Sequence, residues 1–285
     1  MAEPAAEVRL AAHDVRRLVD EQHPSFVGKV RLFSHGWDND LFRLGDDWAV
    51  RLPRRRAAAD LILHEQRWLP ELSGRLPVPT PVPVAVGLPT AQFPWRWSIV
   101  PWLPGSRLAD LSPGERDDAA DDVAAALAAL HTPAPAEAPR SPHRGIALHE
   151  RDAGTRELLA GDPELLDLWR VGVAAEPWRG APVWVHGDVH PGNLLVAEGR
   201  LSAVLDFGDV CAGDPACDLA IAWTAFTPLG RARMRAALGD RYDAAIWTRA
   251  AAWAALFAAL LAGTRDPAFR EVAAHSRAEL VRELA

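Results

Sequence analysis

The segment His186-Gly-Asp-Val-His-Pro-Gly-Asn-Leu-Leu195, with Val204-Leu-Asp-Phe-Gly-Asp209 close behind it, constrains the fold more than any other stretch of this chain. The apolar run Val183-Trp-Val-His186 has the make-up of a strand, and Gly187 supplies the turn that ends it. Asp188 then stands at a strand tip, where a carboxylate reaches a substrate hydroxyl as a general base. Asn193 precedes the strand-like Leu194-Leu-Val196, and Asp206 closes the strand-like Leu201-Ser-Ala-Val-Leu205. Two antiparallel strands joined across 197–200 bring Asn193 and Asp206 side by side. A carboxylate and an amide oxygen make a hard-oxygen site suited to Mg²⁺, which takes few protein ligands and fills its shell with phosphate oxygens and water. A β-hairpin with polar ends is the plain alternative, but it does not explain an Asp and an Asn after Gly at one end with an Asp at the other.

These residues resemble the catalytic and metal-binding segments of the aminoglycoside phosphotransferase and choline kinase-like group, the small-molecule relatives of protein kinases. HGDVHPGN stands where protein kinases carry H-R-D-x-x-x-x-N, and LDFGD where they carry D-F-G. The resemblance implies an α+β, bilobal protein kinase-like fold. A small antiparallel-sheet N-lobe over 1–101 would bind nucleotide, and a mainly helical C-lobe over 102–285 would hold the catalytic loop and the acceptor. It also implies ATP, or GTP, as donor with Mg²⁺ as cofactor, Asp188 as base, and Asn193 and Asp206 as metal ligands. Phosphoryl transfer depends mostly on positioning and charge neutralisation, which such residues provide.

Upstream, residues 7–21 have helical spacing with Val8, Leu10, Val15, Leu18 and Val19 on one face, stopped at His23-Pro24. Strands are predicted over 27–33, 40–44, 48–52, 84–86 and 95–100, and a helix over 58–72 in which Pro70 predicts an end near Leu69. Leu61, Glu65, Trp68 and Leu72 share a face of that helix, so an acid lies in an apolar stripe and needs a cation. Arg51 is the candidate. It closes the third strand where a kinase carries its phosphate-binding Lys, and a guanidinium holds phosphates bidentately. The alternative leaves Glu65 reaching solvent and Arg51 edging a strand. The segment 34–39 occupies the place of the phosphate-covering loop with a single glycine, and the resemblance implies that Ser34 and nearby backbone contact the β-phosphate; an ordinary hairpin turn is the other reading. The segment 99–105 resembles the hinge that holds adenine, with the carbonyl of Pro101 and the N–H of Leu103 as its contacts.

Ser112-Pro-Gly-Glu115 is a capping box opening a helix to His131, residues 132–142 read as a surface linker, and helices are predicted near 150–161, 163–175, 216–227, 229–239, 243–262 and 267–284. Asp218, in Asp214-Pro-Ala-Cys-Asp-Leu-Ala220, matches a family element and is predicted to accept catalytic-loop N–H groups. The net charge of −7 disfavours polyanionic partners such as nucleic acid, and Arg51, Arg54, Arg55 and Arg56 form only a short basic turn. The first residues lack the basic and apolar regions of a signal peptide, and the uncharged run 250–263 is short for a membrane span, so a cytoplasmic protein with no membrane partner is predicted. Cys211 and Cys217 read as unpaired packing residues.

The acceptor is predicted to be a small molecule with a hydroxyl, in first place an aminoglycoside. Glu150, Asp152 and Glu157, with Asp209 and Asp214, either line a pocket for such a polycation or, in the first three, form a helix's solvated face. A choline-, homoserine- or sugar-type metabolite, or a macrolide favoured by some of the 12 tryptophans, fits the same fold. Two further readings are a metal-dependent hydrolase built on His186, Asp188 and His190, against which Pro191-Gly192 argues, and a kinase-like protein that binds nucleotide without turnover, against which Asp188, Asn193 and Asp206 argue together.

Overall fold

In the computed structural model, residues 5–284 are described. Helix α1 (Ala12–Gln22) buries Val15, Leu18 and Val19 in the core of an antiparallel sheet made of β1 (Val30–His35), β2 (Asn39–Leu44), β3 (Trp48–Pro53), β4 (Ala85–Gly87) and β5 (Trp97–Pro101). The sheet order is β1-β2-β3-β5-β4. Helix α2 (Arg56–Leu72) buries Ala58, Ile62, Glu65, Leu69 and Leu72 at helical spacing, and Leu61 is only half-buried at the edge of that face. Pro70 does not end the helix. Trp68, Leu69 and Leu72 are anchored in the C-terminal core while Ala59 belongs to the sheet's core, so packing at both ends holds the last turn together.

Beyond the sheet the chain is mainly helical. The strand β6 (Ser106–Arg107) leads to α3 (Pro113–Arg116), where Glu115 accepts from the N–H and hydroxyl of Ser112 at 2.9 and 2.6 Å. A 3₁₀ turn at 117–119 then breaks the expected single helix before α4 (Ala120–Leu130). Helices α5 (Asp152–Leu159) and α6 (Pro163–Ala174) precede β7 (Val183–Val185), the hairpin β8 (Leu194–Ala197) and β9 (Arg200–Val204), and β10 (Cys211–Gly213). The predicted 216–227 helix is two short ones, α7 (Ala216–Leu219) and α8 (Ile221–Thr224), followed by α9 (Pro228–Leu238), α10 (Ala244–Ala262) and α11 (Pro267–Arg282).

Residues 132–142 are not a free linker: Thr132 and Pro139 accept backbone bonds from Trp184 and Ala212, and Ala134 donates to Pro182. Among the described residues α10 is the one helix long and apolar enough to cross a membrane, at 19 residues, and most of its side chains are buried in the core against α6 and α11. Trp97, Trp169, Trp184, Trp223 and Trp253 are fully buried, and Cys211 and Cys217 are free and buried.

Candidate active site

Asp188 lies in the turn that follows β7. Gly187 has φ +85, and a Cβ there would come within 2.6 Å of the carbonyl of Asp209, so only glycine allows the two segments to approach this closely. Beneath the turn, the fully buried Asp218 accepts from the N–H groups of His186 and Gly187 at 2.7 and 2.9 Å, the structural role expected of it. The ring of His131 extends this network, with Nε2 3.0 Å from Asp218 and Nδ1 2.6 Å from the Tyr242 hydroxyl. Burial pushes the Asp218 carboxyl up, but His131 and the backbone donors outweigh it and hold the group below its ordinary value. A depressed carboxylate stabilises the fold above the unfolded value near 4 and loses that contribution as pH falls. Asp218→Asn, which turns an N–H donor toward donors, is expected to cost about 1–3 kcal/mol in urea denaturation at pH 7 and to flatten the acid limb of the stability curve; an unchanged midpoint would remove Asp218 from this role.

The Asp188 carboxylate is held from two sides. Arg144 Nη2 donates to Oδ1 at 3.3 Å, while Asn193 Nδ2 donates to the backbone oxygen of Asp188 at 3.0 Å and to Oδ2 at 3.3 Å. His190 Nε2 is 3.6 Å from Oδ2. Burial acts to raise this carboxyl, but His190, Arg144 and His186 together hold it well below the usual carboxylate range. The group is therefore ionised at neutral pH and oriented. Arg144 was not found from the sequence, because it lies in coil at 140–147 with no motif and reaches Asp188 only through the tertiary fold.

His186 spends both ring nitrogens internally, Nδ1 accepting from the N–H of Asp188 at 3.2 Å and Nε2 donating to Leu205 O at 2.8 Å. Among the described residues no three His, Cys, Asp or Glu side chains converge to hold a metal. With both ring nitrogens of His186 engaged within the fold, the hydrolase reading of His186, Asp188 and His190 loses the support of one of its three ligands.

The hairpin pairs Leu194 with Val204, and Leu205 N–H donates to Asn193 O at 2.8 Å, so Asn193 and Asp206 emerge from the same end. Asp206 has φ +57, in the left-handed region that a non-glycine residue seldom adopts and that marks functional turns. Its Oδ1 accepts from Arg51 Nη2 at 2.8 Å. Arg51 Nη1 meets Glu65 Oε1 at 3.1 Å, and the same oxygen accepts from Phe207 N–H at 2.9 Å. Glu65 is 2% exposed and Arg51 7%, which excludes the solvent-facing alternative for both. The pair was legible in sequence, whereas its extension to Asp206 and Phe207 was not. Burial pushes the Glu65 carboxyl up and Arg51 pulls it back. The donor set suits Mg²⁺: Asp206 is half-exposed with one oxygen committed to Arg51, and because Asn193 turns its Nδ2 to Asp188, its amide oxygen is left to accept.

Ser34 and His35 belong to β1 and not to the turn predicted for them; an irregularity between Leu32 and Ser34 bends the strand, and the turn is confined to 36–38. That turn is tied to the end of β3 by Arg54, which donates to Gly36 O, and by the ion pair of Arg55 with Asp38 at 2.6 Å. The arginines read as a basic turn are thus largely internal. At the hinge, Pro101 pairs with Trp48 and Trp102 N–H donates to Asp47 O at 2.7 Å, while the N–H of Leu103 has no partner among the described residues. Trp102 packs edge-on to Phe33 at 4.8 Å and under Arg43 at 4.0 Å, an aromatic group that sequence reading missed.

Of the acids considered for a polycation pocket, Asp209 lies at the site, acted on by Arg144 and by Asp188, Asp206 and Asp38, while the others are engaged elsewhere or on the surface. Asp214 is buried against Arg249 at 2.8 Å, Asp152 pairs with Arg156 at 2.7 Å and accepts from the Trp169 indole, Glu150 caps a 3₁₀ turn by accepting from Ala147 N–H at 3.2 Å, and Glu157 is exposed.

The profile of the phosphotransferase enzyme family (APH) matches residues 29–253. No curated protein sequence matches the chain. Among solved structures, the GDP and kanamycin complex of an APH(2") enzyme superposes with TM-score 0.71 at 19% identity, covering 95% of this chain and 97% of that one. The macrolide 2'-phosphotransferase MphH from Brachybacterium faecium is 26% identical with TM-score 0.59, covering 87% and 91%. The streptomycin and ATP ternary complex of APH(2")-IIa is 20% identical with TM-score 0.60, covering 96% and 97%.

Proposed function

The chain belongs to the phosphotransferase enzyme family, and on that premise we propose that it transfers the γ-phosphate of Mg²⁺-bound ATP or GTP to a hydroxyl of a small molecule, with Asp188 as the base. The observation that carries this reading is the Arg51 guanidinium bridging buried Glu65 and half-exposed Asp206. It ties helix α2, strand β3 and the β9 terminus into one frame, and such pre-set charge is what phosphoryl transfer requires. In this reading Arg51 binds the donor's phosphates, Asn193 and Asp206 hold Mg²⁺, and Mg²⁺ when bound neutralises charge on the phosphate oxygens. Asp188, ionised and held by Arg144 and Asn193, accepts the proton of the acceptor hydroxyl. Leu103 N–H and the carbonyl of Pro101 supply the base-binding edge, and Ser34 faces the phosphates from β1.

An aminoglycoside acceptor is supported by the likeness to enzymes of that kind, and a macrolide by the 26% identical one. The acids Asp152, Asp214 and Glu150 lend a polycation no support, since each is engaged within the fold. Asp206→Ala tests the metal and nucleotide assignment. Mg²⁺-ATP should raise the melting temperature of the wild type, and the variant should lose the Mg²⁺-dependent part of that rise. An undiminished shift would take Asp206 out of the metal site.

A further inference from the structure

Two guanidinium groups converge on one backbone oxygen beside Asp188. Arg144 Nη1 and Arg151 Nη1 both donate to His143 O, at 3.4 and 2.5 Å, and Arg144 Nη2 also reaches Asp188 Oδ1 at 3.3 Å. Helix α10 backs both cations, with Phe257 5.4 Å from Arg144 and Trp253 5.7 Å from Arg151. The hydrogen-bonding capacity of this pair is not met within the chain. Arg144 Nε is buried without a partner, and among the described residues Arg151 forms no ion pair. Burial and then the neighbouring Arg144 push the Arg151 guanidinium down to about 10, and the same surroundings depress His143. The acids acting on the pair are Asp188, which the acceptor hydroxyl must approach, and Asp209, whose own carboxyl burial pushes up to about 7. Asp188 and Asp209 compensate Arg144 and hold its guanidinium above the ordinary value, whereas Arg151 has no paired carboxylate. A half-buried guanidinium in that state is costly to maintain unless something else neutralises it.

We propose that Arg144 and Arg151 form the subsite for an oxyanion, a carboxylate or a phosphate, carried by the acceptor whose hydroxyl meets Asp188. The acceptor is then a hydroxylated anion and not a polycation. This rests on the phosphotransferase reading above. Guanidinium groups suit such a ligand because their planar N–H array matches both carboxylate and phosphate oxygens, and an ammonium-rich acceptor would meet two like charges next to the base.

The test is calorimetric titration of the full chain, saturated with Mg²⁺-ADP, with four probes: glycerate, glycerol 3-phosphate, glycerol and kanamycin. The two anions should bind at least about tenfold more tightly than glycerol or kanamycin. Arg151→Gln should weaken anion binding by about tenfold or more, and Arg151→Lys, which keeps the charge but not the planar array, should recover only part of it, with the ADP affinity of both variants matching wild type. Kanamycin bound as tightly as the anions, anion affinity unchanged in Arg151→Gln, or anions bound no better than glycerol would each overturn the proposal. Mg²⁺-ATP binding to the wild type, measured in parallel, keeps the two readings apart. Its absence defeats the phosphotransferase reading, and its presence with any of those three outcomes defeats only the acceptor class.

Discussion

Asp188→Asn is expected to lower turnover by about 10²–10⁴-fold, the range that a positioned general base supplies, while leaving nucleotide binding close to wild type. The asymmetry follows from what the carboxylate touches. Its oxygens face Arg144 and Asn193, neither of which is in the Arg51, Glu65 and Asp206 frame proposed for the phosphates. Asn193 also keeps its shorter bond to the Asp188 backbone oxygen at 3.0 Å, which leaves its amide oxygen turned toward the proposed metal site. An asparagine retains one acceptor oxygen and the shape of the turn above Asp218, so the fold should not register the change strongly. ADP release in the presence of acceptor is the measure of turnover, and Mg²⁺-ATP thermal stabilisation is the control. Turnover within fivefold of wild type would remove Asp188 from the role of base.

The parts legible in the sequence were those in which local pattern and chemistry coincide. HGDVHPGN and LDFGD fixed a hairpin because glycine, proline and strand-like runs alternate within a few residues, and the structure forms that hairpin with Asn193 and Asp206 at one end. Glu65 was conspicuous as an acid in an apolar helical stripe, which made Arg51 its predicted partner before any distance was known. Contacts made by coil from distant sequence left no such trace. Arg144 reaches Asp188 from coil just beyond the 132–142 stretch that reads as a surface linker. Arg151 joins it through His143 O from a segment that reads only as the start of a helix near 150–161, and His131 comes beneath Asp218 from the end of α4. Segment ends erred for a related reason. Pro70 carries a strong local signal to stop, but the helix runs on to Leu72 because Trp68, Leu69 and Leu72 are already committed to the core. The turn predicted over 34–39 begins later than the pattern implies, because pairing of Ser34 with Leu41 keeps it in the strand.

Arg51→Ala is expected to weaken nucleotide binding and to destabilise the free protein by roughly 3–5 kcal/mol, the cost of stranding one member of a buried ion pair. Glu65 would keep only the Phe207 N–H as a donor in a site where it is 2% exposed. Its carboxyl, already raised by burial, would rise further once Arg51 no longer pulls it back. An acid raised in the folded state binds more protons there than in the unfolded chain, so the penalty is smallest below the unfolded value of about 4.3 and grows as pH rises toward the folded value. Urea denaturation at pH 5 and pH 8 should therefore separate variant from wild type more widely at pH 8. Adding Glu65→Leu removes the stranded carboxylate and fills its place with apolar volume, so the double variant should recover much of the lost stability, with the pH dependence gone. It should not recover nucleotide binding, because neither change restores a cation for the phosphates. Strictly additive losses in this double-mutant cycle would mean that the 3.1 Å contact carries no coupling energy, and Arg51 would then act on the phosphates without Glu65 as its support.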